Sequence, residues 1–328
     1  KFPHYTVNGK WFYEAYNKWT SGFFPGCLWE LYDITKNEYW MKKAMLYQEN
    51  VKENQNNNKT HDIGFIIFNT YAKGYDISKN DKYLNIVLKT ADTLSTRYSN
   101  ITKVIKSWES CDSGDYKVII DNMMNLELLW WANKNKNINS KYEWYEIANS
   151  HAITTSKNHF RKDFSTYHVL NYNQRNGLII YKGTHQGYDY SSTWSRGQAW
   201  AIYGYIIAYK YTNNEEYFKI FENSYKIYKE KTKNNLIPNW DLDDSEKKYK
   251  DSSASAIISC ALLEISMLKN NVDYFKESKN ILMELLKNYI SNDDNFDAIL
   301  LHGTSNFPVD LYDQGLIYGD FYFIKAVN

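Results

Sequence analysis

Proline, glycine and cysteine are all scarce here, at 4, 14 and 3 of 328 residues. With breakers only at Pro3, Pro25, Pro238 and Pro308, long helices are permitted almost throughout. Cys27, Cys111 and Cys260 are an odd number at unrelated spacings, with no Cys-x-x-Cys. That excludes a disulfide framework and a zinc knuckle; the two that lie in apolar stretches read as core thiols. A surplus of either charge is also missing. The 39 basic and 38 acidic residues leave a formal +1, so no global field draws the chain to nucleic acid or an anionic membrane, and neither is an expected partner. No apolar run of about 18 residues stands out, so no transmembrane helix is expected. Lys1 to Tyr5 carry no apolar signal-peptide core, and the expected location is the cytoplasm of a bacterial cell. Gly-x-Ser-x-Gly, Walker A and Gly-x-Gly-x-x-Gly are absent, which removes the common nucleophile and nucleotide readings. His61, His168, His185 and His302 show no metal-ligand spacing, so no metal site is expected.

What is present is a repeat. An apolar helix, a polar turn and an amphipathic helix opening on an aromatic recur, with turns at 32–39, 75–83, 137–142, 211–217 and 268–274. Asn, Ser and Thr in these turns can cap the outgoing helix, followed by acids in its first turn. The first helix of each pair is apolar nearly all round, as at 63–75, 199–209 and 256–268, and must be buried. The second is one-sided: Tyr217, Phe218, Ile220, Phe221, Tyr225 and Tyr228 form a face opposite Lys and Glu. Five such hairpins, a final apolar helix at 313–326 and a short first helix over 8–17 predict an all-α toroid, an (α/α)6 barrel in one domain over 1–328. An open solenoid has a similar period. Closure is favoured because the irregular joints gather the polar and aromatic clusters. Two stretches break the rhythm: 164–193 alternates and turns at Asn176-Gly177 like a β-hairpin flap, and 236–252 is a long acidic loop containing Trp240.

The chemistry concentrates at those joints. Trp194-Ser195-Arg196-Gly197-Gln198-Ala199-Trp200, with His185-Gln186-Gly187-Tyr188 before it, combines indoles, a cation, amides and an imidazole. Indoles stack on sugar rings, and Arg and Gln make directional bonds to carboxylates and hydroxyls, so the cluster reads as a site for a small acidic sugar. A Trp-rich core around a buried Arg is the plainer alternative. Asp62 and Asp121 each stand where an inner helix begins. Parallel inner helices would gather both carboxylates at one mouth, although each alone is also an ordinary N-cap. Asp121 follows Ile119-Ile120 and precedes Asn122-Met123-Met124, so partial desolvation and a nearby second acid would raise its pKa while the helix N-terminus would lower it.

In order along the chain, Trp19-Thr-Ser-Gly-Phe23, His61-Asp-Ile-Gly-Phe65, Ile120-Asp-Asn-Met-Met124, His185-Gln-Gly-Tyr188, Trp194-Ser-Arg-Gly-Gln-Ala-Trp200, Asp251-Ser-Ser-Ala254 and Leu316-Ile-Tyr-Gly-Asp320 resemble the unsaturated glucuronyl hydrolases, glycoside hydrolase family 88. The resemblance implies an (α/α)6 barrel without required metal or cofactor. Its substrate would be an oligosaccharide ending in a 4,5-unsaturated uronic acid, of glycosaminoglycan type, cleaved by hydrating the vinyl ether. It further implies that Asp121 is the general acid/base, that Asp62 holds hydroxyls and tunes it, and that His168, Gln186, Arg196 and Ser305 are polar contacts. Trp19, Phe23, Trp108, Trp194 and Trp200 match aromatic wall positions. Around Ser305, Asn306 and Phe307 stand where sulfate-accepting members often carry Lys or His, which puts a preference for sulfated sugar in doubt. A related unsaturated rhamnogalacturonyl hydrolase and a non-catalytic sugar-binding barrel remain alternatives, with Gln198-Ala199 favouring the glucuronyl family.

Overall fold

A computed structural model describes residues 1–109, 114–136, 140–246 and 248–328. Cys111 and the 137–139 part of one expected turn lie outside these residues. Among them, six helical segments form an inner ring: α1 (Phe23–Thr35), α3 and α4 (Ile63–Ile67 and Lys73–Ser78, joined by a π-turn), α6 and α7 (Asn122–Asn125 and Glu127–Asn135), α9 (Ser195–Thr212), α11 (Ser252–Lys269) and α13 (Ile317–Val327). Five lie outside: α2 (Glu38–Glu49), α5 (Asp81–Ser95), α8 (Trp144–Asn158), α10 (Glu215–Thr232) and α12 (Val272–Asn288). Each inner segment packs on the next, and α13 returns to α1, so the ring closes.

Four of the inner-to-outer turns share one design. The inner helix ends on a residue with positive φ, at Lys36, Lys79, Asn213 and Asn270. The next residue, Asn37, Asn80, Asn214 or Asn271, accepts a hydrogen bond from a backbone N–H in the outgoing helix. An acid follows in each first turn, where the helix dipole favours it.

The inner helices carry the core. In α9 every residue from Ser195 to Tyr209 is buried, and α10 buries Tyr217, Phe221, Tyr225 and Tyr228 against it. Cys27 and Cys260 are free, buried thiols. One expectation needs correcting: by length and composition α11 is apolar enough to cross a membrane, with mean hydropathy 1.3. Here that apolar surface is used for packing, since 72% of the helix is buried in the barrel.

The flap is a β-hairpin, β4 (Val169–Asn173) with β5 (Ile179–Gly183), but an unforeseen strand, β3 (Asp115–Ile119), pairs with β4 and completes a three-stranded sheet. The expected first helix over 8–17 is also a hairpin, β1 (Phe2–Val7) with β2 (Lys10–Glu14). Asn8 and Gly9, at φ 49° and 78°, make the two-residue turn that the Asn-Gly pair encodes.

Candidate active site

The inner helices all point their N-termini to one end, and there a cavity of about 290 Å³ opens. Its wall comes from the starts of different helices and the loops between them: Trp19 ahead of α1, Asp62 at α3, Asp121 at α6, Trp194 and Arg196 at α9, and Ser305 and Asn306 before α13. Trp108, His185 and Gln186 close it from the flap side. A groove of about 330 Å³ lies elsewhere, on the outside between α1, α2 and α13. Its two acids are already engaged, Asp297 by Lys10 and Asp320 by the Ile299 and Leu300 N–H groups.

Neither Asp62 nor Asp121 caps its helix through the side chain. Asp251 does, accepting from Ser253 N–H, and also pairs with Arg196. The simple capping explanation therefore fails for the two acids in the cavity. Asp62 Oδ2 accepts from Thr60 Oγ1 at 2.7 Å, and Oδ1 lies 3.3 Å from His61 Nε2. Asp121 Oδ2 is buried with no hydrogen-bond partner, 3.6 Å from His168 Nε2. Burial pushes the Asp121 carboxyl up to about 7; Asp62 adds to this, while Arg196 and the Trp200 indole N–H oppose it.

His168 stands at the entry to β4. Its Nδ1 accepts from the backbone N–H of His185 at 3.2 Å and of Gln186 at 3.4 Å. The ring proton therefore sits on Nε2, facing Asp121. Burial, with His185 and Arg196 nearby, holds its pKa well below the usual value, so the ring is a neutral donor. Trp194 lies tilted against it, with ring centroids 4.4 Å apart and planes at 35°.

The opening Trp-Ser-Arg cluster divides between site and scaffold. Arg196 lines the cavity, but its guanidinium is committed to Asp251 at 2.5 Å, Thr304 O at 2.6 Å and Ser305 O at 2.7 Å. It lies 4.6 Å over the Trp194 ring and 5.1 Å over that of Tyr318. Gln186 Nε2 also donates to Ser305 O, so flap and α9 grip one loop. Gln198 braces the scaffold, bonding Thr166, Phe164 and Ser224. Ser195 Oγ donates to Asn239 O. A Cβ on Gly197 would come within 2.8 Å of the Trp194 ring, so a larger residue would displace that wall.

Two expected wall residues lie elsewhere. Phe23 is fully buried among Phe65, Tyr318, Phe321 and Tyr322, behind Trp19. Trp200 is fully buried between Phe65 and Tyr322, and only its indole N–H bears on Asp121. Phe307 leaves the cavity to stack on Trp240, with centroids 4.2 Å apart, whereas Asn306 stays in the lining. His4, Ile119 and Leu311 line the cavity without having been singled out.

This arrangement matches known proteins along nearly its whole length. A family model, Glycosyl Hydrolase Family 88, matches residues 3–320. The unsaturated glucuronyl hydrolase of Formosa agariphila is 40% identical over 94% of this chain and 79% of its own length. A solved unsaturated glucuronyl hydrolase specific for heparin superposes with a TM-score of 0.91 at 33% identity, covering 99% of this chain and 89% of that one. The glycosaminoglycan-degrading unsaturated glucuronyl hydrolase of Bacillus sp. GL1, at 28% identity, superposes with a TM-score of 0.93 over 99% of this chain and 90% of its own. A closed α/α ring with two uncapped acids at its mouth, matched in sequence from end to end, leaves one assignment: the chain belongs to glycoside hydrolase family 88 and is a glycosidase.

Proposed function

We propose that this enzyme releases the 4,5-unsaturated uronic acid from the non-reducing end of lyase-generated, glycosaminoglycan-type oligosaccharides, with Asp121 as general acid and then general base. The observation that carries this is the setting of Asp121: a mostly buried carboxyl pushed up to about 7 by burial, with an unpartnered oxygen in a cavity lined by indoles.

The chemistry starts from a proton on that carboxyl. Asp121 gives it to C4 of the vinyl ether, and the ring oxygen shares the positive charge left at C5. Asp121, now a carboxylate, takes a proton from water as the oxygen of that water bonds to C5. The neutral His168 Nε2–H and the Trp200 N–H favour the carboxylate formed between the two steps. The hemiketal at C5 opens by breaking its bond to the ring oxygen, and the hemiacetal exposed at C1 expels the remaining sugar. Asp62, beside the cavity and braced by Thr60, accepts from substrate hydroxyls. Ordinary glycosidase schemes need a nucleophile or a base on the opposite face of the sugar; this route needs one well-placed acid/base.

Incubation with a panel of lyase-generated disaccharides tests the reading. The ultraviolet absorbance of the conjugated double bond should disappear as the free sugar accumulates. Binding with that absorbance intact would make the barrel a lectin-like binder, and selective turnover of pectin-derived fragments would move the substrate to the rhamnogalacturonyl class.

A further inference from the structure

The N-terminal hairpin brings to the cavity an imidazole that no step above uses. β1 pairs with β2, but the register slips between Pro3 and Thr6, and the irregularity spans His4 and Tyr5. Bulges of this kind re-aim side chains beside active sites. His4 here joins the cavity lining, edge-on to Trp19 with ring centroids 5.9 Å apart and planes at 85°. It is 6.5 Å from the Tyr318 ring, which in turn lies beside Arg196.

The position is built rather than incidental. Thr6 N–H donates to Gly315 O at 2.9 Å, and Gly315 N–H donates back to Thr6 Oγ1 at 2.8 Å. Trp11 N–H donates to Asp297, so the hairpin is fixed to the segment entering α13. His4 Nδ1 lies 2.9 Å from Glu14 Oε2, and that contact holds the Glu14 carboxyl below its usual range. The carboxylate beside Nδ1 orients the ring and leaves Nε2 turned to the cavity side. Both ring nitrogens are buried; Nδ1 has only the Glu14 carboxylate at ion-pair distance, and Nε2 has no hydrogen-bond partner.

We propose that His4 is a substrate-contacting residue positioned by Glu14: its Nε2 hydrogen-bonds a hydroxyl of the sugar stacked on Trp19. This role presupposes that the cavity takes an unsaturated uronyl oligosaccharide. The test measures kcat and KM on unsulfated unsaturated chondroitin disaccharide for wild type, His4→Ala, Glu14→Ala and Glu14→Gln, and disaccharide binding by calorimetry in an Asp121→Asn background. His4→Ala should raise KM and weaken binding about tenfold with kcat nearly unchanged. Glu14→Ala should give a smaller rise of about threefold, which Glu14→Gln reverses because its amide still hydrogen-bonds Nδ1. A folded His4→Ala protein with unchanged KM overturns the contact, as does Glu14→Gln no better than Glu14→Ala. Should His4→Ala fail to fold, the Glu14 pair decides alone. A wild-type protein that leaves every lyase disaccharide intact overturns the substrate reading as well; an active enzyme insensitive at His4 overturns this role only.

Discussion

Where the inner helices finish, buried and half-buried charges are paired. Lys73 Nζ meets Glu30 at 2.9 Å and Asp33 at 2.8 Å, and the Asn328 amide donates to the same two acids. Lys210 meets Glu127 at 3.3 Å and Glu264 at 2.6 Å. Lysines are also what a helix C-terminus favours. Where the same helices begin, Asp121 Oδ2, His168 Nε2 and Asn306 Oδ1 are buried with no hydrogen-bond partner. Each such group costs about 1–3 kcal/mol. One end of the barrel pairs its charges within the protein, and the other leaves polar atoms unpaired around the cavity. A raised pKa alone would not separate these roles. Burial lifts Asp320 to about 7, just as it lifts Asp121, yet both Asp320 oxygens accept backbone N–H groups.

The contrast can be broken most forcefully at Asp121. Asp121→Asn should lower kcat by about 10³- to 10⁴-fold in steady-state assays, since a sole acid/base supplies that much; a loss below about tenfold would remove it from the mechanism. The same change should stabilise the fold at high pH. A carboxyl at about 7 in the folded state, raised from 3.8, binds protons more tightly when folded. Its contribution is therefore fully present below about pH 4 and is lost as pH rises through 7. Thermal melts of wild type and Asp121→Asn should coincide near pH 4, with the variant ahead at pH 8 by on the order of 2–4 kcal/mol. A variant that melts lower at pH 8 would mean that the charged form is well accommodated.

Arg196 joins the two kinds of region, because it lines the cavity while its hydrogen bonds hold the Thr304–Ser305 loop. Arg196→Ala should cost about 1.5–3 kcal/mol in kcat/KM through loss of charge and loop placement. Normal efficiency in a folded Arg196→Ala protein would make the whole cluster scaffold. At the satisfied end, Lys210→Met should lower stability to chemical denaturation by only about 1–2 kcal/mol, since its side chain is 36% exposed, and should leave kcat and KM alone. A kinetic effect there would blur the division between the ends.

The smallest expected effect concerns sulfate. Among the described residues lining the cavity, Arg196 is the one Lys or Arg, and it is already engaged. Of the cations on the surrounding loops, Arg175 is outside the cavity lining, and Lys182 and Lys250 bond Asn158 O and the Ile237 and Asn239 oxygens. Unsulfated chondroitin disaccharide should therefore be preferred a few-fold over the 6-sulfated one, because an uncompensated sulfate pays for desolvation. A clear advantage for the sulfated sugar in matched kcat/KM assays would contradict this.

The helical hairpins were legible because their signals are local: apolar period, Asn cap, acid in the first turn. Asn176-Gly177 marked the flap for the same reason, and Gly177 has φ 74°. The Asn8-Gly9 pair carried the same signal but was overridden by the expectation of a twelfth helix. β3 escaped notice because its partner β4 is distant in sequence. The family resemblance placed Phe23 and Trp200 in the wall, and a helix apolar all round does not reveal which flank meets the cavity. His4 was missed because a register slip aims it, and its short motif carries no signal of that slip.

The central claim, that the unpaired Asp121 carboxyl delivers the proton, is tested most directly by kcat/KM against pH in the absorbance assay, which reports the ionisation of the free enzyme. Efficiency should be level near pH 6 and fall tenfold per pH unit above an apparent pKa of about 7, the position burial gives Asp121. Efficiency that stays level or rises from about pH 6 to about pH 9 would contradict Asp121 as the acid.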